Sequence, residues 1–215
     1  MGASLRLDRA FFARDVLEVA RDLVGRVVRH TTPEGAVAVR LSEVEAYAGE
    51  ADPGSHAFRG PTPRTRVMFG PAGHAYVYFS YGMHWCVNLV CGAEGTASAV
   101  LLRAGEVVEG LELARSRRPA ARRDVDLARG PARLTQALAV TGVLDGIDVC
   151  GPGPLEVLPG NPVADGEVVW GPRVGVAGAG APTPWRVSVV NDRTVSDYRV
   201  GGRRSPGSRG PGPRT

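Results

Sequence analysis

The sequence predicts an α+β fold: one mixed domain with a curved, largely antiparallel sheet and helices around it. Three observations carry this. Residues 36–48 form a long extended run directly after a Pro- and Gly-containing turn, which reads as the second arm of a hairpin. Residues 8–24 and 131–140 carry apolar side chains near helical spacing. From Ile147 onward, short valine-rich runs alternate with Gly and Pro, as in the strands of a sheet or barrel-like core. At 215 residues the chain is long enough to bury one real core. Residues 1–200 are assigned to the domain. Residues 201–215, GGRRSPGSRGPGPRT, have no apolar anchor and are expected to form a disordered basic tail.

Each element follows from its local residues. Phe11, Phe12, Val16, Val19, Ala20, Leu23 and Val24 predict one helix over 8–24, capped by Asp8 and ended by Gly25. Val27 and Val28 start a strand, and Thr31 to Gly35 have turn composition. The strand over 36–48 follows, then a long polar loop over 49–63, a length often reserved for function. Strands are predicted at 75–79, 85–90 and 97–104, with Gly82 breaking the chain between the first two. Residues 107–116 look helical, and the arginine-rich residues 115–123 close that helix or follow it as a loop. Gly130 and Pro131 open a compact helix to about Val140, because Pro is tolerated in the first turn. Further strands are predicted at 155–158, 168–170, 173–176 and 186–189.

Composition narrows the class. All 26 basic side chains are arginine, which reflects either coding bias or contact with phosphate. A net charge of +4 and a pI near 9.3 allow an acidic partner such as nucleic acid. Three cysteines with no CxxC argue against a disulfide framework and fit reducing cytoplasm. Cys86 and Cys91 with His84 lack a second ligand pair at zinc-like spacing, so buried structural thiols are expected and no metal. No apolar run reaches the ~18 residues of a membrane span. The charged start, with Arg6, Asp8 and Arg9, does not read as a signal peptide.

Chemistry concentrates in residues 41–103. Glu43, Glu45 and Tyr47 alternate along the strand and share a face, opposite Ser42, Val44, Ala46 and Ala48. Two acids and a tyrosine on one face form either a solvated edge or the floor of a site. Tyr76, Tyr78, Tyr81, His84 and Trp85 follow in a glycine-punctuated segment, which favours a pocket for a flat ligand. Tyr76 and Trp85 are expected to be core aromatics, and His74 and His84 to lie at the surface. Arg64, Arg66, Arg115, Arg117 and Arg118 are either a phosphate-facing set or a solvated surface.

The same stretch resembles the alkyladenine (3-methyladenine) DNA glycosylase family. The resemblance rests on Glu45-Ala46-Tyr47, His56, Thr62-Pro63-Arg64, Met68-Phe69, Tyr76-Val77-Tyr78, Tyr81-Gly82-Met83, Asn88 and Leu101-Leu102-Arg103. It continues at Gly130-Pro131, Leu134, Gln136-Ala137-Leu138 and Arg173-Val174-Gly175-Val176, covering roughly residues 8–195. It implies a monofunctional base-excision repair enzyme that flips alkylated purines out of duplex DNA and hydrolyses their N-glycosidic bond. Glu45 matches the general base. Arg103 matches a residue holding the water or an adjacent phosphate. Tyr47, His56, Tyr78 and Asn88 match the base pocket, Tyr81 the intercalating tyrosine, and Val174 a residue whose backbone carbonyl holds the water. The family uses no metal or organic cofactor, and the chain has no lysine for a Schiff base. The implied partner is double-stranded DNA with alkylated or deaminated purines, met by a monomer in the cytoplasm at the nucleoid. A non-catalytic module that binds damaged DNA is the alternative. A metal-dependent nuclease or deaminase is a third reading, and the absence of HxE and PCxxC counts against the deaminase.

Overall fold

The computed structural model describes residues 6–80 and 82–201. Tyr81 and the tail beyond Gly201 lie outside the described residues. The first apolar pattern breaks into two helices, α1 (Arg9–Phe12) and α2 (Val16–Leu23). Two aspartates set the break. The Asp8 carboxylate accepts the Phe11 amide, and the Asp15 carboxylate accepts the Leu17 amide. The single helix expected over 8–24 is therefore corrected. Asp15, with Glu18 three residues on, is a helix-start signature inside the apolar pattern. Gly25, at φ +86°, then turns the chain into β1 (Val27–Thr32), a conformation that disfavours any side chain.

Strand β1 pairs with β2 (Gly35–Tyr47) across the two-residue turn Pro33-Glu34, as the hairpin reading expects. Next come β3 (Ala75–Ser80), β4 (His84–Val90) and β5 (Ala99–Glu109). Residues 107–109 belong to β5 and not to a helix. Val107 and Glu109 pair with Val39 and Ala38, and Gly110 at φ +72° separates the strand from α3 (Leu111–Arg117). Helix α4 (Pro131–Leu138) starts at proline, as expected. Strands β6 (Leu155–Leu158), β7 (Val168–Gly171) and β8 (Arg186–Val189) complete the sheet.

The strands run in the order β3-β4-β5-β2-β1-β6, with β8 paired to β2 and β7, and every pairing is antiparallel. Length makes β2 the hub. It pairs along one side with β5, while the other side pairs first with β1 and then, from Glu43 to Glu45, with β8. Residues 173–176, expected as a strand, form a turn instead, and their polar groups bond into the site described below.

The core lies on the face of β2 that carries Val44 and Ala46. Helix α2 packs on β2, and α4 packs on β4 and β5. Phe12, Leu23, Leu41, Leu102, Leu134 and Leu138 are fully buried there. Truncating such a leucine to alanine costs about 2–5 kcal/mol. Glu43 and Glu45 project from the opposite face. Segments around 173–197 cover that face, so both acids are buried rather than on a solvated edge. Among the described residues, no helix is long and apolar enough to cross a membrane.

Candidate active site

Two facing bulges build the site. Leu41 pairs with Gly105, Glu43 with Ala104, and Val44 with Leu102. Ser42 is therefore the extra residue on β2, and Arg103 the extra residue on β5. A bulged residue escapes the ladder and is re-aimed, a device common beside active sites. The Arg103 guanidinium turns onto the face that carries the two acids. Its Nε donates to Glu43 Oε1 at 2.8 Å and its Nη1 to Glu45 Oε2 at 3.2 Å.

The two carboxylates have different surroundings. Glu43 Oε1 accepts from Arg103 Nε, Arg186 Nε and the Ser196 hydroxyl, and its Oε2 accepts the Ser196 amide. Glu45 Oε2 accepts the Tyr47 hydroxyl at 2.8 Å as well as Arg103, while its Oε1 accepts only the Val174 amide, at 2.7 Å. A carboxylate offers about four acceptor sites. One lone pair of Glu45 Oε1 is thus without a donor among the described residues. Burial raises the Glu45 carboxyl above the usual range, against the attraction of Arg103 and the Val174 amide. Burial, and then the Glu45 charge, push the Tyr47 phenol well up, so it stays a protonated donor.

Beside Glu45 opens a cleft bounded by Tyr47, His56, Arg64, Tyr78, Arg103 and Val174. Its inner end is a recess lined by Tyr47, His56, Met68, Tyr76, Tyr78 and Asn88. The rings are fixed edge to face. His56 and Tyr78 lie 4.6 Å apart at 81°, and Tyr76 and Tyr78 lie 5.4 Å apart. His56 Nδ1 shares a hydrogen bond with the Tyr76 hydroxyl at 3.2 Å, and Asn88 Nδ2 donates to the Tyr76 carbonyl. His56 stands solvent-exposed at the mouth, yet neighbouring groups hem in its ring. That desolvation, with the nearby Arg64 charge, lowers its pKa to about 4, so it is neutral at neutral pH. The recess is aromatic, electron-rich and uncharged, and the buried Glu45 carboxylate lies behind the cleft wall, bonded to Tyr47, Arg103 and Val174, which line it.

Arg173 supports one wall from behind. It is fully buried, and its guanidinium lies 4.6 Å from the Tyr47 ring centre and 5.2 Å from that of Trp185. Both its terminal nitrogens bond to Asp52, Nη2 at 2.7 Å, and Nη1 also donates to the Ala46 carbonyl. This explains the turn at 173–176. The Arg173 side chain is tied to Asp52, the Val174 amide goes to Glu45, and Gly175 takes φ +76°. No ladder partner is needed.

The structure therefore gathers Glu45, Arg103, Tyr47, His56, Tyr78, Asn88 and Val174 around one cleft. At Val174 it is the amide that touches Glu45. Tyr76 is buried, as a core aromatic should be, but it also lines the recess. Asp52, Arg186 and Ser196 escape sequence reading, because isolated polar residues in loops or at strand ends carry no periodic signal, and Arg173 is marked there only as part of the resemblance, with no role. Arg115, Arg117 and Arg118 are engaged around α3 and α4, with Asp124, Glu34 and Gln136 respectively. Of the five arginines considered for phosphate contact, only Arg64 lines the cleft. Cys86 is buried at the cleft wall, and burial raises its thiol pKa, so it stays unreactive. Among the described residues there is no group of three metal-ligating side chains.

Comparison with known proteins gives the family. The sequence model of the methylpurine-DNA glycosylase family matches residues 10–193. A protein of Streptomyces avermitilis is 62% identical over 196 residues, covering 90% of this chain and 92% of its own. One of Frankia casuarinae is 53% identical, covering 88% and 91%. One of Methanocella arvoryzae is 47% identical, covering 94% and 98%. All three bear the name 3-methyladenine DNA glycosylase as a provisional assignment.

Proposed function

Because the chain belongs to the methylpurine-DNA glycosylase family, we propose that the cleft receives a flipped alkylpurine and that Glu45 drives its hydrolysis. The protein is a base-excision repair DNA glycosylase, a hydrolase. One observation carries the assignment of the base. Glu45 is buried against the cleft wall and bonded to three residues that line the cleft, Val174, Tyr47 and Arg103, with a single donor on its Oε1, whereas of the partners of Glu43 only Arg103 lines the cleft and three donors crowd its Oε1.

The chemistry follows from this geometry. A damaged purine must leave the stack to expose its sugar C1′. In our reading it stacks on Tyr47 and meets His56 and Tyr78 on its other side, with Asn88 crowding the 2-position. An amino group there is disfavoured, which selects adenine-type bases. A base made cationic by alkylation gains cation–π attraction from these rings. Glu45 Oε1 takes a proton from water as the oxygen attacks C1′. The C1′–N bond breaks, and its electron pair leaves with the base. The Glu45 charge also stabilises the cationic sugar as it forms. Arg103 fixes the Glu45 carboxylate and faces the cleft, where it is placed to hold the water or a flanking phosphate. The Val174 carbonyl is assigned to the same water on resemblance. Tyr81 is assigned as the wedge that fills the vacated stack, also on resemblance. The substrates in this reading are duplex DNA with alkylated or deaminated purines, met by a monomer in the cytoplasm at the nucleoid.

Release of free base decides the matter. Duplexes carrying 3-methyladenine, hypoxanthine or 1,N6-ethenoadenine are incubated with excess protein and a chelator, and released base is measured. Free base without strand cleavage is expected. Tight lesion binding with no base released would favour the non-catalytic module instead.

A further inference from the structure

Arg64 is placed where its charge acts on the departing base. It is exposed on the loop before β3, and its guanidinium carbon lies 5.2 Å from the centre of the Tyr78 ring, inside the same cleft as Tyr47 and His56. Its charge also acts on the Tyr76 side chain. Its charge reaches across the recess: beside desolvation, it helps hold His56 neutral and counters the burial that raises Tyr76. A cation already occupies the electron-rich rim that a cationic base would use.

Lesions of the two kinds respond oppositely to such a charge. A purine alkylated at N3 or N7 is cationic in DNA and leaves as a neutral molecule. Hypoxanthine is neutral in DNA, so the electron pair of the broken bond gives its departing ring negative charge until a proton arrives. In net terms, water supplies the hydroxyl to C1′ and its remaining proton to the base. We infer that Arg64 is a specificity-determining residue that penalises cationic lesions and assists the departure of neutral ones. This rests on the reading of the aromatic recess as the base pocket. The side chain is solvated, so screening limits the effect to roughly three- to tenfold in the ratio of rates.

The test compares 3-methyladenine with hypoxanthine, which both lack a 2-amino group, so Asn88 does not bias the ratio. Single-turnover release of each base is measured at one pH and one salt concentration for wild type, Arg64→Gln and Arg64→Lys. Arg64→Gln should raise the ratio of 3-methyladenine to hypoxanthine rates about three- to tenfold. Arg64→Lys, which keeps the charge, should stay near the wild-type ratio. A contact to a DNA phosphate would lower both rates together, so an unchanged ratio in Arg64→Gln overturns the inference. Equal shifts in both variants overturn it too, because shape would then be the cause. If wild type releases neither base, the pocket reading itself fails and this inference falls with it.

Discussion

The backbone amide of Val174 donates to Glu45 Oε1 at 2.7 Å, across 129 residues of chain. A main-chain donor cannot rotate away, so this bond fixes the carboxylate plane on a backbone support. It is the single donor to that oxygen among the described residues.

Glu45→Gln should remove proton abstraction while keeping the shape of the site. Loss of general-base help costs about 10²–10⁴ in rate, and the lost negative charge adds to this. Single-turnover base release should fall by at least that factor, with lesion affinity near wild type. Near-normal cleavage would sink the mechanism even with the family membership intact.

Glu43→Gln should act on stability first. Its carboxylate binds Arg103, Arg186 and Ser196 in a fully buried site, and removing one partner of a buried ion pair costs about 3–5 kcal/mol. Denaturant unfolding should show a larger loss for Glu43→Gln than for Glu45→Gln. The reason is that burial makes the charged form of Glu45 costly to the fold. Its raised pKa means that its stabilising contribution is full below the unfolded value, and is lost as pH rises through the folded one. The reverse order of stabilities would overturn the division of labour between the two acids.

The pH profile should have one acid limb. Base release requires ionised Glu45, whose pKa lies above the ordinary 4.5, so log rate should climb with pH and level off above that point. His56, near 4, should add no inflection around 6.5. Its lowered folded pKa contributes stability that is present above 6.5 and lost as pH falls toward 4. A rate step centred near 6.5 that vanishes in His56→Gln would count against a neutral imidazole.

Arg173→Met should loosen Tyr47. It strands Asp52 as a buried unpaired charge, at a cost of about 3–5 kcal/mol. The double variant Arg173→Met with Asp52→Asn should recover part of that loss, measured as a double-mutant cycle of unfolding free energies. Both variants should bind a lesion more weakly than wild type, because the support behind the Tyr47 ring is gone. Additive stability losses would mean that the two residues act independently.

What could be read from the chain follows how each feature is encoded. Strand β8 and the start of α4 were legible because valine alternation and a leading proline are local signals. The break between α1 and α2 was hidden by an apolar pattern that continues across it, although Asp15 and Glu18 mark it. Residues 173–176 have strand composition, yet Arg173 and Val174 spend their polar groups on Asp52 and Glu45, partners more than 120 residues away. Alternation put Glu43 and Glu45 on one face but could not rank them. Their donors come from β5, β8 and the turns beyond, which no local window contains.

The facing bulges at Ser42 and Arg103 cancel. Leu41 pairs with Gly105 before them and Val44 with Leu102 after them, in the same register. The extra residue on one strand is matched by one on the other, so the pairing beyond is unchanged. A lone deletion at either position would close that bulge and leave the paired residues beyond it on their own faces, with the facing bulge unrelieved. A matched deletion of both would leave a regular ladder and an intact core, with no arginine between the acids. The site geometry is thus separable from the scaffold: the bulges aim Arg103 without setting which residues face the core. This makes the double deletion a natural inert control for base release.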